Sequence, residues 1–501
     1  MNLWMWDLRP DLIVLPIVLP LLAAFLLQPI AKLSRPLGLT VGPLVLAVCA
    51  YLLLGFGYQF GGTAFAVAIG GYAAPLGIVF YVDQLALLFA TLVPLFALLF
   101  WSRGEDHPDP ARRDAVMLLM TGSATGLALS GDLFNIYVFY ELTAVASFGL
   151  VTLSGTGRSH IAMLRYLLLS SVGSLFTLLG IATLYTQVGT LNLAQIAQLA
   201  PTHLRDPAGM LAFGLLLIGF GVKAELFPVN TWAPEVYATA PARISAILAG
   251  LISKLAVIIV VRILVLAYEG TGAANLMLVL GLLGLLTAEF AAWHARDFSR
   301  MLAYSSVGQL GLVFIAFSLP GPAGILAGLA VALQHLIIKT ALFGLASRLD
   351  GSLERLTGLA KRAPFSAALL LLFFLSLVGV PPLPGFWAKL VVVVNLADVG
   401  TAVAMTALAA ILIATAVEAS YLFRLILKVY RAPDANAVTA ASPARPAVVD
   451  VAVAGLFAAI LLGATVAIEP LAERLNGIAE QVSDVHGYVA TVLPETIIEA
   501  R

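Results

Sequence analysis

Apolar residues in this chain gather into long runs rather than into the alternating stretches that make strands. Polar or Gly/Pro-marked breaks separate about fourteen such runs, at 11–30, 37–60, 78–101, 113–130, 133–154, 161–187, 208–228, 242–267, 273–292, 300–319, 321–346, 366–395, 400–427 and 446–469. About 20 helical residues cross a ~30 Å hydrocarbon layer, so each run is a candidate span. Strand alternation is absent, which argues against a membrane β-barrel. The pattern therefore predicts an all-α, multi-pass membrane protein embedded in a lipid bilayer. It divides into spans 1–3 (residues 1–110), five spans over 111–268, five more over 269–431, and a last span with a tail over 432–501. The first run is too long for a signal-peptide core and is read as a retained span.

Composition agrees with this reading. Of the 501 residues 61% are hydrophobic and 11% charged, against about 25% charged in soluble domains. Net charge is zero with no basic face, so nucleic acid is not an expected partner. The single cysteine, Cys49, excludes an internal disulfide, a cysteine-ligated iron–sulfur cluster and a thiolate zinc site. No cofactor is expected on this chain, and a redox group would belong to another subunit. Among the 27 Lys and Arg, eighteen lie in or beside loops after odd-numbered spans, from Lys32 and Arg35 to Arg445, and only Arg205 lies in the opposite loops. By the positive-inside rule both termini face away from the cytoplasm of a bacterial or archaeal plasma membrane.

Several charges sit where an apolar span should have none. Lys223, Lys254, Arg262, Lys339 and Lys389 fall within spans, with Asp83, Glu141, Glu225, Glu289, His335 and Glu418 as titratable company. A charge at mid-span costs about 2.5–3.5 kcal/mol on insertion scales, and such residues commonly mark an ion path. Near a span end the bland reading is stronger: Arg262 is expected to snorkel, and Asp83 and Glu289 to be solvated or paired locally. Glu141, Lys223, Lys254, Lys339 and Lys389 lie deeper. Burial disfavours a charged lysine while a nearby carboxylate favours it, so a lysine between those pulls can release and retake a proton. His335 and Lys339 are four apart, hence on one helix face. A metal site is not expected, since His335 is the only mid-span histidine.

Two spans look broken. The seventh reads GFGVKAELFPVNTWAPEVY and the twelfth SLVGVPPLPGFWAKLVV. Pro228 follows Lys223 by five residues, and Lys389 follows Pro384 by five, with Pro381 and Pro382 just before. Proline removes a backbone donor and clashes with the preceding turn, and interruptions survive at membrane depth only where protein or cavity water satisfies the freed groups. Interrupted segments at matching places of two halves point to a transport site. Inert kinked helices are the alternative. The breaks fall five spans apart, and an odd number of spans per unit inverts the second unit relative to the first.

On these residues the chain resembles the antiporter-like subunits shared by respiratory complex I, Mrp-type Na⁺/H⁺ antiporters and membrane-bound hydrogenases. The matching stretches are FNIYVFYELTAVASFGLV, VKAELFPVNTWAPEVYATAPARISAILAGLISKLAV, RDFSRMLAYSSVGQLGL, LQHLIIKTALF and SLVGVPPLPGFWAKL, over about 134–390. The resemblance implies fourteen helices, two inverted five-helix repeats with helices 7 and 12 broken, and a place beside other membrane subunits. It implies that Glu141 pairs with Lys223, Lys254 links onward, His335 and Lys339 relay, and Lys389 ends the row. Glu225 and Glu418 are candidate accessories without a family role. Arg243 stands where a proline or small residue is expected, and Arg300 where lysine is. The short tail after span 14 and Lys389 on the twelfth helix fit the D-type subunit of Mrp antiporters, moving protons and, in the antiporter, Na⁺.

Competing readings are a proton-pumping subunit of a complex I-like or hydrogenase assembly, a quinone-binding redox subunit, a non-transporting anchor, and a transporter of organic solutes. Catalysis by the chain alone is not expected. Buried lysines beside helix breaks disfavour the anchor, which would tolerate leucine in their place. The redox reading lacks a cysteine cluster, a haem-like histidine pair and a nucleotide loop.

Overall fold

Lipid offers no partners for backbone polar groups, so spanning segments satisfy them internally as helices. The computed structural model describes residues 8–101, 109–349, 351, 353–432 and 448–493; Arg103 and Arg445, counted with the basic loops, lie outside these residues. The chain opens with α1 (Leu15–Leu33) and α2 (Arg35–Phe60), a hairpin of β1 (Phe65–Ile69) and β2 (Ile78–Val82), and α3 (Gln84–Leu99). Next come α4 (Pro110–Leu129), α5 (Leu133–Val151), α6 (Gly157–Val188), α7 (Leu193–His203), α8 (Pro207–Gly221), α9 (Ala233–Thr239), α10 (Ala242–Ile247) and α11 (Ser253–Ala267). The second half holds α12 (Ala273–His294), α13 (Phe298–Phe317), α14 (Gly321–Leu345), α15 (Leu359–Arg362), α16 (Pro364–Val378), α17 (Pro384–Val399) and α18 (Ala402–Tyr430). The chain closes with α19 (Val448–Val466), α20 (Ile468–Ser483) and α21 (Val485–Val492).

The protein is a multi-pass membrane bundle. Among the described residues ten helices are long and apolar enough to cross a membrane, and α3, α8 and α16 are shorter apolar helices. With α4, whose first turns carry Arg112, Arg113 and Asp114, these make fourteen crossings. The segment α10–α11, continuous through a π-turn at Leu248–Ile252, is buried along its most apolar stretch, and α13 and α14 are largely buried along theirs. Small residues let neighbours approach closely: a Cβ on Gly311 would lie 2.6 Å from the Gly281 carbonyl oxygen.

The third span differs from the sequence pattern. Its first residues form β2, which pairs antiparallel with β1 from Phe65↔Val82 to Ile69↔Ile78. The helix starts only after Asp83, whose Oδ1 accepts from the Ala86 N–H at 2.7 Å. Of the helices outside the apolar runs, α7, α20 and α21, like the hairpin, follow even-numbered crossings and therefore gather at one end of the bundle. There Leu133 N–H donates to Leu191 O (2.8 Å) and Leu193 N–H to Gly131 O (3.1 Å). Gln481 accepts from Gln84 N–H (2.9 Å) and donates to Gly62 O (2.7 Å).

Candidate ion-translocation site

The first break begins where α8 ends at Gly221 and turns replace helix until α9. Pro228 lies in this turn segment and keeps the helix from continuing. The freed backbone groups find protein partners: Leu226 N–H donates to Gly221 O (2.9 Å), Trp232 Nε1–H to Val222 O (2.8 Å) and Tyr140 O–H to Gly219 O (2.9 Å). Lys223, 2% exposed, places its ammonium 4.0 Å above the Tyr140 ring and 3.5 Å from Ser170 Oγ. Glu141 on α5 lies within electrostatic reach of Lys223, but no ion pair joins them, and its buried Oε1 has no hydrogen-bond partner. The aromatic face, rather than the expected carboxylate, is the direct contact of this lysine.

Glu225, two residues on, points elsewhere. Its φ of 58° is the one positive value at a non-glycine residue among the described residues, a conformation that costs about 1–2 kcal/mol. The turn delivers its carboxylate to Tyr237 on α9, whose hydroxyl donates to Oε1 at 2.5 Å. Glu225 Oε2 is buried without a partner, and the charge lies within electrostatic reach of Lys254 and Lys339. Lys254, just past the π-turn, donates to Ala249 O and to Ser253 Oγ at 3.2 Å. On α14, Lys339 donates to Ser305 Oγ (2.6 Å) and Leu302 O (3.4 Å). One turn earlier, His335 Nε2 lies 3.2 Å from Ser306 Oγ. Lys254, His335 and Lys339 are fully buried.

The second break follows a different local scheme. α16 ends at Gly379, whose φ of 91° suits a residue without Cβ. Val380 N–H donates back to Leu375 O at 3.0 Å, closing the helix end. Pro381 and Pro382 fill the gap, while Pro384 is the first residue of α17, where its missing donor and fixed φ are suited. Gly385 approaches α16 so closely that a Cβ would lie 1.8 Å from Ser376 O. Lys389 then pairs with Glu418 of α18 at 2.6 Å and donates to Val378 O at 3.3 Å. Gln309 Nε2 donates to the other Glu418 oxygen at 2.7 Å. Beside them Glu289 on α12, 1% exposed, accepts from Tyr421 O–H at 2.9 Å.

The structure thus places Glu225, Lys254, His335, Lys339, Glu418 and Lys389 each within electrostatic reach of the next, while Lys223 has Glu141 as its charged neighbour. Glu289, which the sequence pattern marks as a span-end acid, is instead buried against Glu418. Its signal is its place within an otherwise apolar run. Arg262 does not snorkel: at 5% exposure it makes a two-pronged ion pair with Asp83, 3.0 and 2.9 Å, flanked by the Tyr81 and Tyr488 rings. Arg243 pairs with Asp450 of α19 at 3.0 Å, tying the eighth crossing to the last.

A fourteen-crossing bundle with two matched helix breaks, joined by a buried row of titratable side chains, marks the chain as an antiporter-like membrane subunit. Residues 130–414 match the family described as NADH:quinone oxidoreductase/Mrp antiporter, TM, and the chain belongs to it. It is 31% identical to NADH-quinone oxidoreductase subunit N of Desulforudis audaxviator over 436 residues, covering 83% of this chain and 86% of that protein. It is 30% identical to the D subunit of the Na(+)/H(+) antiporter of Bacillus subtilis over 401 residues, covering 76% and 79%. Among solved structures, a chain of the membrane-bound sulfane sulfur reductase, an archaeal respiratory membrane complex, superposes with a TM-score of 0.86 at 30% identity, covering 96% of this chain and all of that one.

Proposed function

We propose that this chain is a proton- and cation-translocating membrane subunit of a multisubunit complex, most like the D-type subunit of an Mrp-type Na⁺/H⁺ antiporter. The observation that carries the reading is the buried row between the two breaks. Protons pass laterally along Lys223, Lys254, His335, Lys339 and Lys389, with Glu141 tuning Lys223 and each member's charge shifting the proton affinity of the next. Glu225 and Glu418 are accessories: Glu225 connects Lys223's segment to Lys254, and Glu418 holds Lys389. Residues 111–268 and 269–431 act as the two inverted units. The loop charge bias supports a plasma-membrane setting with both termini outside the cytoplasm.

The test uses membrane vesicles holding the assembled complex. Lys223→Ala and Glu141→Ala are each expected to abolish cation-dependent proton movement while assembly persists; wild-type transport by both would sink the reading.

A second reading, a proton pump driven by electron transfer, draws on the similarity to NADH-quinone oxidoreductase subunit N. Subunits that co-purify with the chain separate the two. Small multi-span partners alone favour an antiporter, whereas iron–sulfur or NiFe partners favour the pump.

A further inference from the structure

The second break keeps two carboxyl groups for one lysine. Glu289, Gln309 and Glu418 are each 1% exposed and line one cleft with Thr415 and Lys389, closed tightly enough to leave no room for a water molecule. Three hydrogen bonds orient them: Tyr421 O–H donates to Glu289 Oε2, Gln309 Nε2–H to Glu418 Oε1 and Lys389 to Glu418 Oε2. The second of these fixes the Gln309 amide with its nitrogen on Glu418. Two oxygens remain, Glu289 Oε1 and Gln309 Oε1, buried and without a hydrogen-bond partner. Unsatisfied buried acceptors are rare and call for an explanation.

The neighbouring side chains do not supply the missing donor. Lys389 is committed to Glu418 and Val378 O, Tyr421 to the other Glu289 oxygen, and Lys339, within electrostatic reach, to Ser305 and Leu302 O. Thr415 bonds neither oxygen, and the cleft admits no water. A carboxylate and an amide oxygen only accept; a carboxylic acid also carries an O–H that donates. Charge points the same way. Glu418 and Lys389 already form a neutral pair, and Glu289 has no ion-pair partner among the described residues. A buried carboxyl so placed sheds its charge by taking up a proton.

We propose that Glu289 is a buried carboxylic acid whose Oε1–H donates to Gln309 Oε1, which makes it the positioning residue of the second break. Its proton is resident rather than relayed: an amide cannot hand a proton on without changing its own bonding, and no water bridges the cleft. Hydrogen bonds then run one way, from Tyr421 to Glu289 to Gln309 to Glu418, with Lys389 closing the chain from the other side. An amide held at both ends cannot flip and turn its oxygen on Glu418, and a neutral Glu289 adds no charge to compete with Glu418 for Lys389. The consequence for transport rests on the proton-translocation reading; the protonation state does not.

Infrared difference spectra of the purified complex in lipid nanodiscs, wild type minus Glu289→Gln, read the proton directly. A carboxylic C=O stretch, shifted to lower frequency in D₂O, is expected in the wild type at neutral pH and lost in the variant. Symmetric and antisymmetric carboxylate bands in its place overturn the proposal. Stability and transport give a second reading. Glu289→Gln keeps an N–H donor for Gln309 and an acceptor for Tyr421, so it is expected to unfold at the wild-type temperature. Glu289→Leu keeps neither. It is expected to unfold at a lower temperature and to slow cation-dependent proton movement about tenfold, the factor that about 1.4 kcal/mol makes, close to one lost buried hydrogen bond. Equal behaviour of the two variants overturns the proposal. Wild-type proton movement in Lys223→Ala would instead overturn the translocation reading and leave the infrared band in place.

Discussion

The two breaks place a lysine at the same distance from a proline but hold it differently. Lys223 is buried with only an aromatic ring and one long hydroxyl contact for company, while Glu141 stays out of direct reach. Lys389 is locked to Glu418 at 2.6 Å and keeps a partly exposed side chain. The first lysine thus rests on a ring and the second in an ion pair, an asymmetry in how the two breaks house a buried ammonium.

Stability tests that asymmetry with the largest expected effect. Lys389→Met leaves Glu418 buried without its ammonium, and breaking a buried pair costs about 3–5 kcal/mol. The double variant Lys389→Met/Glu418→Leu is expected to recover most of it. Lys223→Met removes no ion pair and fills the same volume, so it is expected to be neutral within about 1 kcal/mol. Denaturation of the purified protein in a fixed detergent reads all three; equal losses in the two single variants would erase the contrast.

The backbone separates the breaks more subtly. The second break gives its left-handed turn to Gly379, at φ 91°, and the first gives its own to Glu225, at φ 58°. A side chain in that region costs about 1–2 kcal/mol, so Gly379→Ala is expected to destabilise by that amount; the added Cβ meets nothing nearer than Lys389 Cδ at 3.4 Å. Glu225→Gly in a Tyr237→Phe background, where no hydroxyl is left seeking an acceptor, is expected to gain about 1 kcal/mol relative to Tyr237→Phe alone. A loss instead would show that Glu225 is not strained. Strain of this kind persists where surrounding structure enforces it, often at functional sites.

How much of this is legible in the sequence follows from what each signal depends on. Span positions depend on length and apolarity, so the long runs appear as helices, and the prolines beside Lys223 and Lys389 mark real interruptions. The amphipathic α7, α20 and α21 carry no such signal, and the strand residues Ile78–Val82 carry it without being helix. The strand merges into the third span because a fully apolar strand reads like helix. Contacts across long separations are invisible in the pattern. Asp83 and Arg262 are 179 residues apart, the one looking like a span-end acid solvated or paired locally and the other like a span-end charge that snorkels; only folding makes them one buried pair. Glu225 is hard to place for a local reason. Residues two apart do not share a helix face, but the positive φ that turns Glu225 toward Tyr237 rather than Lys223 is not written in any pattern.

The smallest effect addresses what holds Lys223. Tyr140 contributes both a hydroxyl, which satisfies Gly219 O at 2.9 Å, and a ring beneath the ammonium at 4.0 Å. Tyr140→Phe removes the first and keeps the second, at a cost of about 1 kcal/mol for a lost hydrogen bond to a buried carbonyl. Tyr140→Leu removes both, and the further loss measures the cation–π contact, about 1–2 kcal/mol for a desolvated pair. Repeating the pair of substitutions with Lys223→Met in place isolates that contact, because the ring then faces no charge. If the Phe-to-Leu step costs the same with and without the ammonium, the ring is only packing. Glu141 would then have to hold the lysine from a distance, and the contrast with the Lys389–Glu418 pair would be one of separation rather than of chemistry.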